Sequence, residues 1–166
     1  MRITRPPSTD PIVVELCDEQ QAELAERERG VVDDALKPPL DPRISFLVLW
    51  QGDQAVGCAG LQPMEPGAGE VKRMYVRPAW RGRGLSRRLL AEVESLAAEA
   101  GVTVLRLETG RLFAEAVGLY TSSGFQQIPR FGEYVDSSQS VCFEKRIGST
   151  ANARVPRITG HERHSA

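Results

Sequence analysis

Between Leu85 and Ala100 the apolar residues Leu85, Leu89, Leu90, Val93, Leu96 and Ala97 recur at intervals of three and four, which gathers them on one stripe of a helix. Gly101 stops that helix. Before it, Glu70 to Arg77 sets Val71, Met74 and Val76 among Lys72, Arg73 and Arg77 and is ended by Pro78; after it, Val102 to Leu107 reads as another strand. A strand, an amphipathic helix and a strand in direct succession are most simply a parallel crossover, because parallel strands need a connection of that length. This segment commits the chain to a mixed α/β fold.

The flanks supply further strands and helices. Ser45 to Trp50 and Ala55 to Leu61 are two apolar runs joined by Gln51-Gly52-Asp53-Gln54, the pattern of a β-hairpin, and Pro63 to Gly69 turns the chain into the strand at Glu70. Upstream, Ile12 to Cys17 reads as a strand, with Asp18 as N-cap of a helix from Glu19 to Arg29 closed by Gly30. Pro38, Pro39 and Pro42 forbid regular structure next to them. Downstream, Leu112, Phe113, Ala116, Val117 and Tyr120 make a second helical stripe ended by Ser122-Ser123-Gly124. Gln126 to Ile128 and Ser140 to Lys145 are the remaining strands, separated by a loop from Gly132 to Ser138. The expected organisation is a flexible lead-in over 1–11, a single domain over 12–147 and a disordered tail over 148–166.

Composition narrows the function classes. A chain of 166 residues with 41% hydrophobic content can bury one sizeable core without a disulfide or metal staple. Its formal charge of -1 argues against a nucleic-acid coat protein or a membrane-surface protein, both of which carry a large positive excess. Cys17, Cys58 and Cys142 are odd in number and far apart, which suits buried thiols in a reducing compartment and no thiolate metal site. Both histidines, His161 and His164, lie in the polar tail, so the usual base of Ser and Cys hydrolases is missing from the folded part. The longest apolar run, Phe46 to Trp50, is far short of the ~20 residues that span a bilayer, and the first residues hold no apolar signal segment. The expectation is a soluble cytoplasmic protein with no membrane and no metal.

Charge is balanced overall but not locally. Lys72, Arg73, Arg77, Arg81, Arg83, Arg87 and Arg88 fall in one stretch without an acidic residue, and Arg81-Gly82-Arg83-Gly84 lies between the strand and the helix beginning near Leu85. There the first-turn N–H groups have no intrahelical partner, the helix dipole is positive, and glycines allow a phosphate to approach the backbone. The alternative is a tight turn beside a solvated basic face. A P-loop is excluded because Leu85-Ser86 follows Gly84 in place of Lys-Ser/Thr, and a dinucleotide fingerprint because Arg87 stands where its third glycine belongs.

The segment resembles motif A of the GNAT superfamily of acyl-CoA N-acyltransferases, in which a strand leads into R-x-x-G-x-G/A and a helix. Here it reads Glu-Val-Lys-Arg-Met-Tyr-Val-Arg-Pro over 70–78, then Arg81-Gly82-Arg83-Gly84-Leu85-Ser86. Downstream, Ala116-Val117-Gly118-Leu119-Tyr120 with Gly124-Phe125 is similar to the family's A-x-x-L-Y-x-x-x-G-F signature, and Phe131-Gly132-Glu133-Tyr134 with Ser140 to Lys145 looks like a bacterial subset of it. The likeness covers Glu70 to Arg146. Ser86 replaces the usual Gly or Ala, and Phe113 stands where many members carry an Asn that contacts the coenzyme.

The resemblance implies a central, mostly antiparallel sheet splayed at its middle, helices on both faces, and acetyl-CoA as co-substrate in the splay. By the same resemblance Met74, Tyr75 and Val76 act through backbone groups along the coenzyme arm, and Arg81, Gly82, Arg83, Gly84, Leu85 and Ser86 cradle the pyrophosphate. The implied activity is direct N-acetyltransfer to a primary amine of a small molecule or peptide. A neutral amine is required, and a free alkylammonium has a pKa of about 10.4, so a carboxylate must take its proton. Glu70 is the candidate base, against a strand-end carboxylate paired with Lys72; Glu108 is the second candidate. Tyr120 is the candidate general acid at the leaving sulfur, against a core tyrosine continuing the helical stripe. Glu19, Glu23, Glu26, Glu28, Asp33 and Asp34 make the first helix and its flank acidic, so a cationic acceptor is one expectation and a solvated helix the other. Homodimers are common in the superfamily. The rival readings are a non-catalytic acyl-CoA sensor and an anion- or nucleic-acid-binding module, neither of which needs Glu70 or Tyr120.

Overall fold

The computed structural model describes residues 1–28 and 40–148. The strands are β1 (Arg2–Thr4), β2 (Ser45–Gln51), β3 (Gln54–Pro63), β4 (Ala68–Val76), β5 (Val104–Gly110), β6 (Gln126–Ile128) and β7 (Ser140–Arg146). The helices are α1 (Pro11–Arg27), α2 (Leu85–Glu99) and α3 (Ala114–Ser122), with 3₁₀ turns at Pro78–Trp80 and Gly132–Tyr134. All strands join one seven-stranded sheet in the order β1-β2-β3-β4-β5-β7-β6. Its pairings are antiparallel except β4 with β5, the pair that α2 connects. The mixed, mostly antiparallel fold expected from the sequence is the one observed, including the hairpin and the crossover.

Helices cover both faces, which explains why β2 reads as an unbroken apolar run and not as an alternation of apolar and polar. Leu47 and Leu49 point to the side of α2, where they join Leu89, Leu90 and Val93; Phe46 and Val48 point to α1 and meet Val13, Leu16 and Tyr75. Each of these large side chains is essentially withdrawn from water, a contribution of roughly 1.5–3 kcal/mol apiece. Among the described residues no helix is long and apolar enough to cross a membrane.

The N-terminal region departs from the sequence reading. Ile12 to Cys17 is not a strand but the first half of α1: Asp10 caps it by accepting from the Ile12 N–H at 3.0 Å, and Pro11 takes the first helical position. Val13, Leu16 and Cys17 are buried while Val14 is exposed, a helical spacing that the β-branched run disguises. Asp18 therefore lies inside a helix and caps nothing. Residues read as a loose lead-in contain β1, which pairs Ile3 with Leu49 and is held by a 2.8 Å bond from Trp50 Nε1 to Thr4 Oγ1. The second helical stripe starts later than expected, because Leu112 is 66% exposed and α3 begins only at Ala114. The expected helix end at Gly30, the prolines Pro38 and Pro39, Asp33, Asp34, both histidines and the tail from residue 149 lie outside the described residues.

Two irregularities of β4 position the site. Opposite β3 the register passes from Cys58↔Tyr75 to Gly60↔Lys72, so Arg73 and Met74 face Ala59 alone and form a β-bulge. Arg73 adopts φ 54°, and side chains switch faces across it: Val71 belongs to the core under α2, Tyr75 to the cluster under α1. Opposite β5 the ladder holds only Ala68, Gly69 and Glu70 against Val104, Leu105 and Arg106. Beyond that point β4 continues to Val76 and β5 to Gly110 without pairing, so the sheet opens along a seam, as the resemblance implied.

Candidate active site

The seam leads from the carboxylates to the start of α2. The positive φ of Gly82 (77°) and Gly84 (75°) is what requires glycine in this loop, because L side chains are strained there. A Cβ at either position would meet nothing within 4 Å, so the loop presents open space in front of its backbone. The first helical bond runs from the Arg88 N–H to the Gly84 carbonyl at 3.2 Å, which leaves the N–H groups of Leu85, Ser86 and Arg87 without a helical acceptor. No acidic residue lies in that first turn. Oriented N–H groups, a positive dipole end and free space fit the phosphates of a CoA-type ligand.

The arginines here divide by partner. Arg81 turns away from the loop: its guanidinium donates to Glu23 at 2.7 and 2.6 Å and to the Val76 carbonyl at 2.9 Å, bracing the end of β4 against α1. Arg77 likewise pairs with Glu15 and Glu19. Arg87 bonds Ser122 Oγ at 2.7 Å and ties α2 to α3. Arg83 stacks over Trp80, 4.8 Å from the ring centroid, and has no carboxylate within ion-pair distance among the described residues. Of the two loop arginines, Arg83 is the one left to meet a phosphate. The N-terminal carboxylates Glu19 and Glu23 are thus spent on Arg77 and Arg81, which weakens the expectation of a cationic acceptor drawn to α1.

Met74, Tyr75 and Val76 line the unpaired edge of β4. The Met74 carbonyl accepts from Gln20 Nε2 at 2.8 Å, and Tyr75 is packed beneath α1. Leu85 is buried in the core under α2.

Glu70 is the one buried charged side chain among the described residues, 6% exposed. Its Oε2 accepts from Tyr134 Oη at 2.7 Å and lies 3.2 Å from Lys72 Nζ. Lys72 also donates to Tyr134 Oη at 2.8 Å and to Glu133 at 3.1 Å. Burial and the Glu70 carboxylate both hold the Tyr134 phenol far above its ordinary pKa. Burial pulls Glu133 upward, but its bond with Lys72 keeps it on balance below the usual range.

Glu108 stands on the next strand with a simpler environment. It accepts from Ser140 Oγ at 2.8 Å, and burial, with the Glu70 charge adding, raises its carboxyl above the ordinary value. Tyr120 is a buried ring of the core under α2. Its ring packs edge-on to Phe125 at 5.8 Å and near Phe143 at 6.4 Å, and burial, then the Glu108 charge, pushes its phenol up to about 12. Glu70 and Glu108 thus stand on the two strands that flank the seam, and β4 leads from it to the phosphate loop. Tyr134, Ser140 and Gln20 were not singled out as site residues in the sequence, where Tyr134 and Ser140 stand only within the family-like ending and Lys72 only as a member of the basic stretch and the alternative partner of Glu70, a pairing the structure contains.

A mixed sheet opened between two parallel strands, with a glycine-shaped anion loop at one end and carboxyl and phenol groups along the opening, defines an acyl-CoA-dependent transferase. The family model described as the acetyltransferase (GNAT) domain matches residues 42–127. The chain is 41% identical over 107 residues to an IAA acetyltransferase of Azospirillum brasilense, covering 64% of this chain and 70% of that one. A Klebsiella pneumoniae structure described as an acyl-CoA N-acyltransferase superposes with a TM-score of 0.74 at 33% identity, over 87% of this chain and 96% of that one. A GNAT family acetyltransferase of Elizabethkingia anophelis with acetyl-CoA bound shares the fold at a TM-score of 0.66 and 17% identity, over 88% and 97% of the two chains. The chain belongs to the GNAT acetyltransferase family. It is an N-acetyltransferase that uses a CoA-type co-substrate.

Proposed function

We propose that the protein transfers an acetyl group from acetyl-CoA to the primary amine of a small molecule or peptide, by direct attack with both substrates held together. The observation that carries this reading is the seam itself, which opens between the strand leading to the phosphate loop and the strand that carries Glu108. Bound there, the coenzyme supplies a thioester carbonyl already reactive towards a neutral amine.

The chain's own groups do the rest. Main-chain groups of Met74, Tyr75 and Val76 bind the coenzyme arm along the unpaired edge of β4. The N–H groups of the Gly82–Ser86 segment hold the pyrophosphate, with Arg83 adding charge. A carboxylate takes a proton from the incoming ammonium nitrogen. Glu70, the first candidate from the sequence, has one oxygen engaged by Tyr134 and Lys72. Glu108, whose carboxyl burial raises above its ordinary value, is suited to the transfer, and Glu70 positions Tyr134 and Lys72 beside it. Tyr120 remains protonated throughout the neutral range and gives its phenolic proton to the departing sulfur. Three free, buried thiols suit a reducing compartment, so the cytoplasm is part of the same reading.

Calorimetric titration with acetyl-CoA, CoA and ADP tests the reading. Micromolar binding that needs the pantetheine arm, with turnover lost in Tyr120→Phe, supports it. Equal binding of ADP, or amine acetylation indifferent to both Tyr120 and Glu108, overturns it.

A further inference from the structure

Arg73, the residue at the bulge of β4, combines two unfavourable features. It holds φ at 54°, a left-handed conformation that a side chain other than glycine rarely adopts, and among the described residues it is alone in this. The residue is partly buried, yet among the described residues its guanidinium reaches no carboxylate and no hydrogen-bond acceptor. Four neighbouring cations, by contrast, have carboxylate partners. Lys72 has Glu70 and Glu133, Arg77 has Glu15 and Glu19, Arg81 has Glu23, and Arg106 has Glu65 and Glu144.

The bulge determines where this charge stands. Cys58 Sγ donates to the Arg73 carbonyl at 3.4 Å, fixing the backbone over β3. Arg73 stands on the open stretch of β4, past the last residue pair with β5 and three residues beyond Glu70. A cation partly removed from water without a counter-ion is unfavourable in the free protein and becomes favourable once an anion is delivered to it. Backbone strain retained at the same residue fits a group held ready for a ligand.

We propose that Arg73 binds a carboxylate of the acyl acceptor, so that the acceptor is an amino-carboxylate whose amine faces Glu70 and Glu108 while its acid group faces Arg73. The inference rests on the acetyl-transfer reading above and adds the substrate class. It also departs from the expectation of a purely cationic amine, since two of the carboxylates that suggested one, Glu19 and Glu23, are paired with Arg77 and Arg81.

The test uses the full chain with acetyl-CoA and a panel of L-amino acids, each beside its amide and its decarboxylated amine, with released CoA read through its thiol. At least one amino acid is expected to be acetylated with kcat/KM about tenfold or more above its amide, the loss expected when a charge-assisted contact is removed. In Arg73→Gln that preference is expected to vanish, and in Arg73→Lys to return in part, while acetyl-CoA binding is unchanged in both. Amides or decarboxylated amines used as well as the acids overturn the carboxylate assignment and leave acetyl transfer standing. So does a panel on which no acid is acetylated although other amines are. Failure to bind acetyl-CoA overturns the transfer reading and this inference with it. The comparison of acid with amide in the unmodified protein decides the matter even where a variant at the strained position does not fold.

Discussion

Arg81, the first residue of the phosphate loop, is clasped by Glu23 of α1 in a two-pronged ion pair of 2.7 and 2.6 Å. Its role is to seat the loop. Arg81→Gln is therefore expected to lose stability together with coenzyme affinity, whereas Arg83→Gln, which breaks no ion pair, should lose affinity alone, by about tenfold. Thermal melts and acetyl-CoA titrations of the two variants distinguish these outcomes.

Removing the partner instead, by Glu23→Gln, is expected to cost about 1 kcal/mol or less, since Arg81 is 41% exposed and the pair is screened. That corresponds to a fall in Tm of roughly 2–4 °C. The hydrogen bond from Arg81 holds Glu23 below its ordinary value, so its stabilisation is present above the unfolded-state pKa and fades as pH falls through the lower folded one. The gap between wild type and variant should be full at neutral pH and close in the acid range.

The two seam carboxylates should separate cleanly. Glu108→Gln is expected to lower kcat/KM by roughly 10²- to 10³-fold, the scale of general-base loss. Burial raises the Glu108 carboxyl, so its ionised form works against folding once pH exceeds the ordinary carboxylate range. The variant should then melt at or above the wild-type temperature at neutral pH, with the difference disappearing in acid. The acid limb of wild-type kcat/KM should lie above that of an ordinary carboxylate. Glu70→Gln should instead raise KM more than it lowers kcat, because it frees Tyr134 and Lys72.

Tyr120→Phe is expected to lower kcat by roughly 10²-fold with acetyl-CoA binding preserved, since the ring keeps its contacts with Phe125 and Phe143. With the phenol near 12, its ionisation sets no alkaline limb below about pH 11. The unfolded chain releases that proton near 10, so wild-type stability should decline more steeply than that of the variant above about pH 10. Melting curves across the alkaline range check this.

Glycines of the site differ in why they are needed. At Gly84 the constraint is φ, so Gly84→Ala should cost about 1 kcal/mol of strain and weaken the coenzyme. At Gly57 it is space: a Cβ there lies 2.6 Å from the Tyr75 carbonyl and 3.2 Å from Leu89. Gly57→Ala should therefore destabilise more than Gly84→Ala, as denaturant midpoints will report.

What was legible in the sequence was whatever is written in local spacing. The stripe of α2, the β2–β3 hairpin and the Gly82–Gly84 loop are each encoded within a few residues of themselves. The start of α1 was locally encoded too, in Asp10-Pro11, but the β-branched run after it carries the opposite signal, and helical burial of Val13, Leu16 and Cys17 outweighs propensity. The bulge at Arg73 leaves no mark, because nothing in Lys72-Arg73-Met74 resembles the glycine that a positive φ favours. Glu70 was found by resemblance. Its partner Tyr134 lies 64 residues away and meets it only because β7 returns beside β5.

The seam has a mechanical meaning as well. On one side β1 to β4 form a leaf, on the other β5, β7 and β6 form a second, and between them the sheet is stitched by three residue pairs from Ala68 to Glu70. A continuous ladder would have made the sheet stiff across this line. With a spine so short, the softest deformation of the sheet is an opening and closing of its two leaves, and that motion sets the distance between the unpaired edge of β4 and the strand that carries Glu108.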